Sequence, residues 1–119
     1  MLMKKILLIV RQPEVARLFP SDFELLLDDQ ACVLDAIRVA DERISEKCGC
    51  FPVKGCSSLL QMVYNVREKR FYRQVAVQAY SKTQSFLNVR ENPTLILPDD
   101  ATIIVIPHGG CSTDWEQPV

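Results

Sequence analysis

Ala101-Thr102-Ile103-Ile104-Val105-Ile106-Pro107 is the stretch that decides how this chain folds. Its β-branched and aliphatic residues suit a strand, and Pro107 stops it because proline has no N–H for a ladder. The counterpart at the other end is Lys4 to Val10, which contains Ile6-Leu7-Leu8-Ile9-Val10. Unbroken apolar runs of this length suit central strands covered on both faces. The first and last strands are therefore expected to be neighbours in the middle of one sheet.

Working inward, Gln12-Pro13 interrupts the first run, and Val15 to Phe19 reads as a short turn of helix. Pro20-Ser21-Asp22 is a loop. Phe23 to Leu27 reads as a second strand, at a sheet edge or continuing a hairpin. Val33, Ile37, Ala40 and Ile44, with Leu34 beside them, form one apolar stripe at helical period. Asp35, Arg38, Asp41, Glu42 and Arg43 lie mostly on the opposite face. Asp28 or Asp29 is expected to cap this helix, which should end near Ser45 to Lys47, before Gly49.

Residues 47–58 form a loop rich in Cys and Gly. Leu60, Met62, Tyr64 and Val66 share one parity, as do Phe71, Val75, Val77 and Ala79. Period-2 alternation predicts an enlarged hairpin over 59–80 with one wet face, although Arg73 breaks the parity. A helix over Leu59 to Arg70 is the competing reading. Ser81 to Pro93 is irregular. Thr94-Leu95-Ile96-Leu97 then leads to the turn Pro98-Asp99-Asp100, whose carboxylates suit local backbone bonds better than a metal. The predicted order is strand, strand, helix, two strands, irregular segment, strand. That layering implies an α+β fold of ubiquitin-like β-grasp type, a mixed sheet packed on one main helix. The domain should span 1–107, with a mobile tail over 108–119.

Composition excludes several classes. The 119 residues are 48% hydrophobic and 24% charged, which suits one globular domain rather than disorder. The formal net charge of −1 gives no basic surface for nucleic acid. Arg67, Lys69, Arg70 and Arg73, with Phe71 and Tyr72, read as a solvated turn diluted by Glu68. The apolar run near the start is far shorter than the roughly 20 residues of a membrane span. No small-residue cleavage site follows it, so a cytoplasmic protein is expected.

The five cysteines, Cys32, Cys48, Cys50, Cys56 and Cys111, make an odd set that argues against a disulfide framework. Cys48, Cys50 and Cys56 could supply three thiolates to zinc, with His108 or Cys111 as a fourth ligand. The one-residue gap between the first two is shorter than the usual spacing, and a second CxxC is absent, so free loop thiols fit better. Cys32 suits a core or boundary position. His108, the only histidine, has no Ser or Asp constellation that would make a triad. Trp115 is expected outside the core, as a recognition handle for a partner or processing enzyme.

The stretch from Leu95 through Pro98-Asp99-Asp100 and Pro107 to Gly109-Gly110 resembles the end of the ThiS/MoaD family. These are ubiquitin-like sulfur carriers and the small subunit of molybdopterin synthase. The first strand and the helix are similar in placement, whereas residues 47–92 match only loosely. In that family the last glycine's carboxylate is adenylated by an E1-like enzyme using ATP and Mg²⁺, then converted to a thiocarboxylate. The carrier itself is no enzyme and binds no cofactor. The resemblance implies Gly110 as the activated residue and Gly109 as its partner in a tail slim enough to thread an active-site channel. It implies a sulfur-accepting synthase downstream, in molybdopterin, thiamine, tRNA or amino-acid chemistry. One departure matters: the family's Gly-Gly normally ends the chain, whereas Cys111 to Val119 follow it here. The expectation is therefore a protease that cuts between Gly110 and Cys111. The alternative is a non-catalytic ubiquitin-like subunit of a larger complex.

Overall fold

The structure is a computed structural model and describes residues 3–19 and 22–107. Strand β1 (Met3–Val10) is followed by the short helix α1 (Pro13–Leu18) and strand β2 (Phe23–Asp28). Helix α2 (Val33–Cys48) leads through the Cys-rich loop to α3 (Leu59–Val63). Then come β3 (Tyr64–Asn65), β4 (Arg70–Phe71), β5 (Ala76–Tyr80) and β6 (Ala101–Ile106). Four strands form one mixed sheet in the order β2-β1-β6-β5; β3 and β4 pair separately.

The first and last long strands are neighbours, as their composition required. β1 and β6 run parallel, with Ile6 opposite Ala101 and Val10 opposite Val105. β2 joins β1 antiparallel as an edge, and β5 joins β6 antiparallel at the other edge. The expectation that both central strands are covered on two faces is corrected. Ile6, Leu8 and Val10 are buried, while Leu7 and Ile9 are only half-buried. β6 behaves likewise, with Ala101, Ile103 and Val105 buried and Thr102, Ile104 and Ile106 half-buried. The reason is that α2 packs against one face only, so the outer aliphatics shelter one another sideways.

The inner face meets the predicted stripe of α2. Val33, Ile37, Ala40 and Ile44 are all 0–1% exposed, beside Leu34 and Ala36. Each Val, Leu or Ile buried this way stabilises the fold by about 1.5–3 kcal/mol. α2 stops where Gly49 adopts φ 76°, the left-handed conformation that favours glycine, and its N–H donates to Ser45 O at 2.8 Å. Its N-cap is Cys32, not Asp28 or Asp29. Asp28 remains in β2 opposite Met3, and its carboxylate accepts from Gln30 N–H at 2.7 Å. The reciprocal acceptor is Asp35, whose carboxylate takes Cys32 N–H at 3.0 Å.

The enlarged hairpin over 59–80 is also corrected. Residues 59–63 are helical, β3 and β4 have two residues each, and the chain turns at 72–75 before entering β5. The parity break at Arg73 coincides with this turn. Val75, just before β5, and Ala79 are buried and Val77 is half-buried, while Gln78 and Tyr80 are exposed, so the expected alternation runs into β5. Thr94–Leu97 is irregular, and Asp99-Asp100 forms the expected turn. Asp99 accepts from Lys5 N–H at 2.8 Å, Asp100 N–H donates to Lys5 O at 2.8 Å, and Asp100 sits at φ 61°. Among the described residues no helix is long and apolar enough to cross a membrane.

Candidate functional site

The residues expected to carry chemistry, Gly109, Gly110 and Cys111, lie outside the described residues, as do His108 and Trp115. What is described is the strand that leads to them. β6 is interior, held by β1 on one side and β5 on the other, so it is paired along both edges. At its C-terminal end Ile106 lies opposite Ala76, and Arg11 N–H donates to Val105 O at 2.9 Å. The bracing continues into α1, where the buried Gln12 side chain caps Val15 N–H at 2.8 Å. Two residues, His108 and Gly109, separate Pro107 from Gly110 in the sequence.

The uncovered sheet face is the second feature. Its rows follow from the register: Leu7 lies opposite Thr102 and Thr102 opposite Tyr80, while Ile9 lies opposite Ile104. Leu26 on the β2 edge is 58% exposed and Tyr80 on β5 is 42% exposed. Between those edges runs a groove of about 590 Å³ with charged walls of both signs, including Lys5 and Arg43 with Glu24. Arg43 reaches from α2 to donate to Glu24 O at 2.9 Å, and Lys82 pairs with Asp100 at 3.5 Å.

The zinc alternative finds no assembled ligand set. Among the described residues no three His, Cys, Asp or Glu side chains gather where a metal could be held. Cys48 and Cys50 are exposed free thiols, whereas Cys56 is half-buried against the core. Cys32 is half-buried at the start of α2, in keeping with a boundary position. Arg67 and Lys69 sit exposed at the β3–β4 turn, and Arg70 pairs with Glu68 at 2.7 Å.

Three polar side chains with structural roles were not anticipated. Lys4 is 4% exposed, and its Nζ donates to Asp29 O (2.9 Å), Ala31 O (2.9 Å) and Leu97 O (2.6 Å). Burial pushes its pKa below the ordinary lysine value, against the opposing pull of Asp28, Asp29, Cys32 and Asp35. The signal was legible, because Lys4 shares the inward parity of Ile6, Leu8 and Val10. Asp41 of α2 accepts from Leu59 N–H (2.6 Å) and Leu60 N–H (3.0 Å), so it caps α3 from outside. Burial raises the Asp41 pKa, and those two backbone bonds oppose the rise. The Arg90 guanidinium grips the 72–75 turn through the carbonyls of Val75, Tyr72 and Arg73. Neither Asp41 nor Arg90 had a local sequence signal.

No protein-family model, curated protein or solved structure matches this chain.

Proposed function

We propose that this chain is a ubiquitin-like β-grasp domain that works in the cytoplasm as a sulfur carrier through Gly110. The observation that carries the reading is the path of β6. The last strand lies in the sheet centre, parallel to the first, and is ended by Pro107, with one residue, His108, between it and Gly109-Gly110 in the sequence. A mixed sheet in the order β2-β1-β6-β5 with α2 across one face supports the β-grasp assignment.

In this reading the protein supplies a carboxylate and a rigid handle, and its partners supply the catalysis. A protease hydrolyses the Gly110–Cys111 bond. An E1-like enzyme then joins the freed carboxylate to the AMP moiety of Mg²⁺-bound ATP, releasing pyrophosphate. A sulfur donor displaces AMP to leave the thiocarboxylate, which passes its sulfur to a synthase. The glycines matter because a side chain there would block passage of the tail.

The test uses two chains, the full-length protein and one ending at Gly110, each incubated with an E1-like enzyme from the same genome, ATP and Mg²⁺. ATP–pyrophosphate exchange is expected only with the chain ending at Gly110. Equal exchange by both chains, or none by either, overturns the reading.

A second reading is favoured by one observation, the exposed Leu26 and Tyr80 on the uncovered sheet face. There the chain is a non-catalytic subunit docking through that face. Gly110→Trp then leaves the activity of the complex intact, whereas it abolishes activity in the carrier reading.

A further inference from the structure

We propose that Cys48 and Cys50 are a redox couple that closes reversibly into a disulfide across Gly49 at the end of α2. Both thiols are exposed, unlike Cys32 and Cys56. A disulfide needs Cα atoms roughly 4.4–6.8 Å apart. Residues i and i+2 reach at most about 7 Å when fully extended, and the chain here is not extended. Gly49 sits at φ 76° and ψ −23°, which reverses the backbone. As a result the Cys48 thiol already lies over the following residue, with Sγ 2.8 Å from Cys50 O and 3.0 Å from Ile44 O. A Cβ on residue 49 would meet nothing within 4 Å, so the turn has room to adjust as the bond forms.

The two thiols are not equivalent. Cys48 is the last residue of α2. Its proton is shared with two carbonyl oxygens. Cys50 lies beyond the helix and is the attacking thiol. Its thiolate attacks one sulfur of a low-molecular-weight disulfide such as oxidised glutathione, breaking that S–S bond and expelling one thiolate. Cys48, deprotonated, then attacks the Cys50 sulfur of the mixed disulfide and expels the second. The two protein thiols lose two electrons and two protons, and the small disulfide is reduced to two thiols. The ring so closed is small, so it stabilises the fold little, and its strain and exposure make it easy to reduce. These are properties of a sensing couple rather than of a structural bridge. Oxidation also removes the S–H donor from Ile44 O and Cys50 O, loosening the C-terminal turn of α2.

The experiment equilibrates the full-length chain in mixtures of reduced and oxidised glutathione, then quenches with iodoacetamide. Tryptic cleavage after Lys47 and Lys54 yields a peptide holding Cys48 and Cys50 and no other cysteine. As the oxidised fraction rises, this peptide is expected to lose both alkyl groups together and to be two hydrogens lighter than its free dithiol. Cys56 and Cys32 should remain alkylated. Cys48→Ser is expected to leave a stable glutathione adduct on Cys50, because the resolving thiol is gone. Full alkylation of Cys48 and Cys50 at every ratio overturns the proposal. So does a bond from either residue to Cys56 or Cys111, or a persistent glutathione adduct in the unmutated chain.

Discussion

Replacing Lys4 with methionine tests the least apparent feature of the fold. Methionine keeps an unbranched stem of similar reach and deletes the ammonium. Three carbonyls lose a donor, but not equally. Ala31 O also accepts from Leu97 N–H at 3.1 Å and stays partnered. Asp29 O and Leu97 O lose the Lys4 bond. A buried carbonyl left without a partner costs about 1–3 kcal/mol, and partial access of water to Asp29 O places that one near the lower end. Removing a charge from the interior returns part of its desolvation cost, so the gross loss is not the net one. The expected net destabilisation is about 2–4 kcal/mol, a large fraction of the stability of a small domain. Urea denaturation followed by far-UV circular dichroism would measure it as a lower midpoint at an unchanged slope. Amide exchange supplies a local readout, since Leu97 N–H should lose protection before the β1–β6 pairing does. Unchanged or increased stability would refute the reasoning. It would mean that burying the ammonium costs as much as its three bonds contribute.

The other predictions concern the α3 cap and the two faces of the sheet. Asp41→Asn leaves one acceptor oxygen for two backbone N–H groups, at a cost of about 0.5–2 kcal/mol, as for other lost caps. Because burial raises the Asp41 pKa, its titration contributes stability that is fully present below the ordinary value of 3.8 and lost as pH rises through the folded value. The stability gap between the unmutated chain and Asp41→Asn should therefore widen as pH falls towards 3.8, and urea midpoints across that range would show a narrowing gap if the sign is wrong. Leu8→Ala, at a fully buried position, should cost about 2–5 kcal/mol. Leu26→Ser, on the exposed face, should change stability by no more than about 0.5 kcal/mol. Similar midpoints for these two variants would contradict the one-faced packing of the sheet.

The sequence by itself determined the frame. The unbroken apolar runs at 4–10 and 101–106, the short apolar segment 23–27 and the helical-period stripe from Val33 to Ile44 are each local patterns that one secondary structure satisfies. Pro107 and Gly49 end their elements through backbone chemistry that needs no partner. The adjacency of β1 and β6 followed because the two most apolar strands both need the sheet centre. Only the tertiary structure decided the rest. Residues 59–63 alternate well enough for a strand, and five residues cannot nucleate a helix unaided. Ser58 caps them locally by accepting from Gln61 N–H, and Asp41, 18 residues before Leu59, adds the remote support by holding the N–H groups of Leu59 and Leu60. The α2 cap moved from Asp28 or Asp29 to Cys32 because pairing with Met3 keeps Asp28 in the ladder. Lys4 is tolerated inside because Asp29, Ala31 and Leu97, remote in sequence, bring their carbonyls to one point. Each of these depends on a partner that the chain meets only after the sheet and α2 have come together, so no local period records it.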